Sequence, residues 1–193
     1  MARPRSFDTD DALEKAMHVF WAHGYEGASL PDLLEGMGLT RGSLYKAFTD
    51  KKTLFLKVLE RYEGQAVKAG VAMLTDPSVP NGAERVMAMF QGSYQRVIDG
   101  DSRGCLLCTS AAGPSTYDDE IAHAVSAGLG ALRDGIYEAL GASPRHATLS
   151  PAERAALADM LIAQYVGLRT MARARIDHDT LKNIVRSVGV MLA

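Results

Sequence analysis

Two short stretches of the chain carry residue types able to do chemistry. The first, RGCLLC, holds Cys105 and Cys108, the only cysteines among 193 residues. At that spacing on the opening turn of a helix the two sulfurs share one face, and the amide dipoles there lower a thiol's pKa. Cys105 could then act as a reactive thiolate and Cys108 as its resolving partner. Free cysteine is equally a small apolar filler of cores, so both readings of the pair stay open. No metal site is expected, because one C-x-x-C supplies two ligands and only His123 stands as a candidate third. The GLGALRDG segment from Gly128 lacks the preceding strand and full spacing of a dinucleotide loop, so no cofactor is expected either.

The second stretch, LTRGSLYKAFTDKK from Leu39, is a helix too short and too polar to serve packing alone. Leu44 and Phe48, four apart, fix one face to a neighbour. Thr40 is a helix cap, and Gly42 leaves the first turn bare so that a phosphate can approach the backbone amides. Arg41, Ser43, Tyr45 and Lys46 are then groups for base edges and phosphates. Lys51 and Lys52 begin the next helix, where cations oppose the macrodipole, and a nearby anionic partner would offset that cost.

The surrounding elements must hold this helix in place. Ala12, Leu13, Ala16, Met17, Val19 and Phe20 mark one face of a first helix, capped by Asp8 or Thr9 and ended by Gly24. Ser29 opens a second, short helix, with Asp32 answering it in a capping box and Pro31 in the first turn. Gly38 supplies the tight turn into the third helix. Two short helices joined in this way predict a helix-turn-helix, whose second helix enters the major groove.

The whole run VFWAHGYEGASLPDLLEGMGLTRGSLYKAFTDKKTLFLKVLERY, residues 19–62, resembles the DNA-binding domain of the TetR family of bacterial transcriptional repressors. The matching features are Phe20, Gly24-Tyr25, Ser29-Leu30, Gly38, RGSLY, Phe48, Lys51 and Leu54. The resemblance implies that Tyr45 and Lys51 contact phosphate and that Arg41, Ser43 and Lys46 face the groove; Ser29, Thr40 and Gly42 at the helix ends join them as candidate DNA contacts. Arg3 and Arg5 resemble a basic arm laid toward the minor groove. It further implies a homodimer reading a pseudo-palindromic double-stranded operator, with a carboxy-terminal domain that binds an unknown small-molecule inducer. The GCL at Cys105 looks like a segment of one branch of the family, in which some members sense electrophiles or oxidants through cysteine.

Helical periodicity continues to the carboxy terminus, so the fold class expected is all-α, about nine helices. Helices are predicted over 51–73, 83–98, 118–140, 152–174 and 179–192, with a short one from CLLCTSAA. Residues 1–50 are expected to form the DNA-binding domain and residues 51–193 the effector-binding and dimerisation domain. Phe90, Tyr94, Cys105, Cys108, Tyr117, Val125, Leu129, Gln164 and Tyr165 are the candidate effector-pocket residues. Small residues Ala155, Ala158, Gly167 and Ala172 let the last two helices approach a partner's copies, as the resemblance implies.

Composition narrows the alternatives. A net charge of −2 gives no global sign of nucleic-acid binding, so only a local patch could meet phosphate. No apolar run approaches the roughly 18 residues of a membrane span, and MARPRSFDTDD lacks a secretory signal's apolar stretch. A cytoplasmic protein is expected. A regulator rather than an enzyme is the favoured class, with cysteine-based sensing, or a helical ligand-binding protein or enzyme without DNA function, as the rivals.

Overall fold

A computed structural model describes residues 7–193, and Arg3 and Arg5 lie outside them. The described residues fold as helices joined by short turns, with no strand among them. Helix α1 (Thr9–Gly27) is capped by Asp8, whose carboxylate accepts from Asp10 N at 2.8 Å. Gly24 does not end it outright. Its φ of 73° breaks the ladder and the chain then winds on to Gly27. Helix α2 (Leu30–Met37) begins with the expected capping box: Ser29 N donates to Asp32 Oδ2 at 2.9 Å, and Ser29 Oγ accepts from Asp32 N at 3.3 Å while donating to Asp32 Oδ2 at 2.6 Å. Gly38 then sits at φ 66°, the left-handed conformation that a helix end asks of glycine.

Helix α3 (Arg41–Phe48) is followed by Thr49 at φ 61°, a turn that costs a non-glycine residue about 1–3 kcal/mol. Asp50 caps α4 (Lys51–Tyr62) by accepting from Thr53 N at 2.6 Å. A π-wound turn (Glu63–Val67) joins α4 to α5 (Lys68–Leu74), so the one helix expected over 51–73 is a continuous rod with a widened turn inside it. The remaining elements are α6 (Gly82–Ile98), α7 (Leu106–Ala111), a 3-10 turn (Pro114–Tyr117), α8 (Asp119–Gly141), α9 (Pro151–Arg173) and α10 (His178–Leu192). With α4 and α5 taken as one rod, nine helices are present among the described residues, as the periodicity predicted.

Two apolar clusters hold them. The first gathers Phe20, Leu33, Leu44, Phe48 and Phe55 around α1 to α4 and continues into Leu106, Leu107, Ile121 and Val125. The second joins Leu74, Val86, Phe90, Ile136, Leu140, Leu161, Leu181 and Val188 from α5, α6 and α8 to α10. Each buried large side chain contributes about 1.5–3 kcal/mol. Phe55 packs against both Phe20 and Tyr25 with ring centroids 4.8 Å apart. Polar ties join the head, α1 to α4, to the rest: Arg173 Nη1 donates to Trp21 O at 2.7 Å, and Lys52 meets Asp118 at 2.7 Å.

Candidate nucleic-acid interface and internal chamber

Helix α3 buries Leu44 and Phe48 against the head and turns its other faces outward. Thr40, Arg41, Gly42 and Lys46 are exposed, and Tyr45 keeps 44% of its surface in solvent. Ser43 is half-buried. Its hydroxyl accepts from Thr40 at 3.0 Å while its amide donates back to Thr40 Oγ1 at 3.3 Å, so the cap and the candidate base reader are one unit. The side chains of Arg41 and Lys46 have no ion pair or hydrogen bond among the described residues. A Cβ built on Gly42 meets nothing within 4 Å, so nothing inside the protein demands glycine there. The exposed groups are what a partner bearing phosphates and base edges would meet.

The cations flanking α3 divide. Lys51 lies over the Tyr25 ring, 4.7 Å from its centroid, and donates to Glu26 O at 3.5 Å. Its partial burial lowers its pKa. Lys52 finds its anionic partner inside the chain, in Asp118 at 2.7 Å and Glu120 at 3.3 Å, which raise its pKa. The cost of a cation at this helix start is therefore offset within the fold for Lys52, without an external anion. Ser29, a candidate DNA contact, is exposed but its hydroxyl is committed to the α2 cap.

Below the head lies a chamber of about 420 Å³. Met17, His18 and Trp21 of α1, Tyr62 of α4, the π turn, Met89 and Ser93 of α6, Leu132 of α8, and Tyr165 and Arg169 of α9 form its walls with Arg103 and Cys105. Arg169 is 3% exposed, and its Nη2 donates to Gly104 O, while Nε and Nη1 have no partner. Trp21 Nε1 is likewise buried without one. Arg103 stacks over the Trp21 ring at 4.5 Å and pairs with Asp101 at 2.9 Å, a contact that holds the Asp101 carboxyl at about 2. Glu14 on the rim is engaged by Arg61 at 2.9 Å, whose hydrogen bond lowers the carboxyl's pKa.

Both cysteines are free and buried, and Cys105 precedes α7 as its capping residue. The Cys105 sulfur accepts from Tyr62 Oη at 3.4 Å. A hydrogen bond from Cys108 first, and then the Tyr62 hydroxyl, outweigh burial and lower the Cys105 thiol to about 6. The same bond and burial push Cys108 up. Cys105 is therefore the more acidic of the two sulfurs, and it alone lies on the chamber wall.

Of the nine residues expected to line an effector pocket, Cys105 and Tyr165 do so. Cys108 is buried behind Cys105. Tyr117 is 90% exposed, because the 3-10 turn carries it to the surface. Phe90 is fully buried core packed on Tyr165, and Tyr94 packs on the carboxy-terminal cluster. Val125 and Leu129 belong to the first cluster. Gln164 is exposed on the other face of α9, beside a groove with Thr180, Ile184 and Met191. Trp21, His18, Tyr62, Arg103 and Arg169 line the chamber although the sequence reading did not single them out. Arg169 carried a readable signal: it stands one turn after Tyr165, a cation on an otherwise apolar stripe.

Comparison with known proteins fits this arrangement. The family described as "Bacterial regulatory proteins, tetR family" matches residues 12–58. The repressor ComR of Escherichia coli (strain K12) is 55% identical over 60 residues, 31% of this chain and 29% of that protein. The uncharacterized regulator YezE of Bacillus subtilis (strain 168) is 30% identical over 190 residues, 96% of each chain. Among solved structures, a cysteine mutant of the regulator CifR complexed with 26-bp double-strand operator DNA superimposes with a TM-score of 0.83. It is 32% identical and covers 96% of this chain and 97% of that one. With likeness along its whole length and a helix-turn-helix at its head, the chain belongs to the TetR family and is a DNA-binding transcriptional regulator rather than an enzyme.

Proposed function

We propose that the chain is a cytoplasmic homodimeric repressor that reads a pseudo-palindromic operator through α3 and leaves it when a small molecule enters the chamber. The exposed polar face of α3, set on Leu44 and Phe48 and open at Gly42, carries this reading. Tyr45, Lys46 and Lys51 register the helix on phosphates, and Arg41 and Ser43 meet bases. Thr40 and Ser29 shape the helix ends beside the backbone, and Arg3 and Arg5 reach the minor groove. Residues 1–50 act as the DNA-binding unit and 51–193 as the effector and dimer unit. The operator-bound state of CifR supports the same mode of binding here.

Effector and DNA meet through α1. It supplies Met17, His18 and Trp21 to the chamber and packs Phe20 beneath the recognition unit. A ligand preferred by one placement of α1 shifts the population of heads able to span two half-sites. The outward side of α9 and α10, where Met160 and Val190 stand exposed beside the Gln164 groove, forms the dimer face. Selection from a random duplex library is the decisive experiment. The reading expects a recovered sequence with two-fold symmetry, and recovery of no preferred sequence would remove it.

A second reading is favoured by one observation, the lowered thiol of Cys105 on the chamber wall. In it the thiolate adds to the β-carbon of an activated alkene, forming an S–C bond as the C=C π bond breaks and the α-carbon takes a proton, and the adduct takes the effector's place. Electrophiles that release the operator from a Cys105→Ser variant as readily as from the wild type would end that reading.

A further inference from the structure

The chamber stores unmet donors. Arg169 is buried to within 3% of its surface, yet only Nη2 is used, on Gly104 O. Its Nε and Nη1 have no acceptor, nor has Trp21 Nε1, and both residues line the same cavity. Guanidinium and indole nitrogens donate and never accept. Two acceptors on the walls are already taken: Glu14 is engaged by Arg61, and the Cys105 sulfur receives the Tyr62 hydroxyl. Met17, Met89, Leu132 and Tyr165 give the lining its apolar and aromatic surface, beside the polar Gln65, Ser93 and Arg103. A buried charge with open donors on the wall of a mostly apolar cavity of this volume is complementary to a small anion with an apolar body.

We propose that the chamber, read above as the effector site, binds small carboxylates whose charge is received by Arg169 and whose apolar body lies against Trp21, Tyr62 and Tyr165. A charge-assisted hydrogen bond to Arg169 distinguishes a carboxylate from its uncharged amide of nearly equal shape. Neutral apolar compounds would leave the guanidinium unmet and bind weakly.

Trp21 is the chain's only tryptophan, so its emission reports on this cavity. Benzoate, phenylacetate and hexanoate are titrated against full-length protein beside benzamide, phenylacetamide and hexanamide. The expected result is a saturable change in emission with at least one carboxylate, with the matching amide at least tenfold weaker. Arg169→Met abolishes the preference and Arg169→Lys keeps part of it. An amide that binds as tightly as its carboxylate overturns the proposal, as does the absence of saturation by any of the three acids. The ratio is read on the wild type, so it holds even if Arg169→Met fails to fold. Release of the selected operator duplex is scored separately: carboxylates that bind with the tenfold preference but release no DNA keep the anion site and remove its effector role. Amides that bind equally and release DNA keep the effector role and remove the anion selection.

Discussion

On α3, Arg41, Tyr45 and Lys46 stand in water, whereas in the chamber Arg169 and Trp21 hold N–H groups away from it. Both regions carry polar capacity that the fold itself does not use. At the head, water meets that capacity at almost no cost, so exposed groups can wait for DNA without weakening the protein. In the chamber each buried donor without a partner costs about 1–3 kcal/mol. The fold tolerates this because Arg169 is anchored at Nη2 and Trp21 is covered by Arg103. The difference teaches that ligand-ready groups on the surface leave stability untouched, while those inside are a debit that a ligand can relieve.

Variants can break that comparison. The largest effect is expected from Phe20→Ala, which empties a fully buried site in the first cluster; urea unfolding should show a loss of about 3–5 kcal/mol. Arg41→Ala should weaken operator binding roughly tenfold to a hundredfold and relax specificity at one position, with the melting temperature unmoved. A fall in melting temperature would mean that Arg41 has work inside the fold. Lys46→Ala should weaken all duplexes alike and reduce the salt slope by about one, read from binding between low and high salt.

The cysteine wall offers a pH test. The unfolded thiol titrates near 8.5 and the native Cys105 thiol at about 6. Its ionisation adds stability that is complete above the unfolded value and lost as pH falls through about 6. The urea midpoint of wild type relative to Cys105→Ser should therefore decline from pH 9 to pH 5. A constant difference would place the thiol's titration at its ordinary value. The smallest effects concern helix ends. Ser29→Ala should cost about 1 kcal/mol through the α2 cap. Gly42→Ala should leave the fold as stable or slightly more so, since nothing crowds that Cβ, yet weaken operator binding.

What could be read from the sequence follows the range of the interactions concerned. The caps at Ser29 and Thr40 each close within three residues, and helix periodicity placed α6, α8, α9 and α10 to within a residue or two. The exposed face of α3 was legible for the same reason, since Leu44 and Phe48 declare its inner side. The chamber was not, because its wall is assembled from seven elements across more than 150 residues. Periodicity says that Phe90 and Val125 face inward. It cannot say that Phe90 meets only core while Trp21 borders a void. Tyr117 stood among promising neighbours in sequence, but a single 3-10 turn sent it outward.

The bonds from Arg173 to the carbonyls of Trp21 and Ala22 span 152 and 151 residues of chain. A ribosome adding about 5–20 residues per second delivers that arginine roughly 8–30 s after the helix it secures. Throughout that interval the head lacks its clamp, and for more than half of it also the leucines of α7 that complete the Phe20 cluster. The last part of the DNA-binding end to be finished is thus supplied by the end of α9. A chain truncated before Arg173 would present the cell with an operator-reading head whose seat is incomplete.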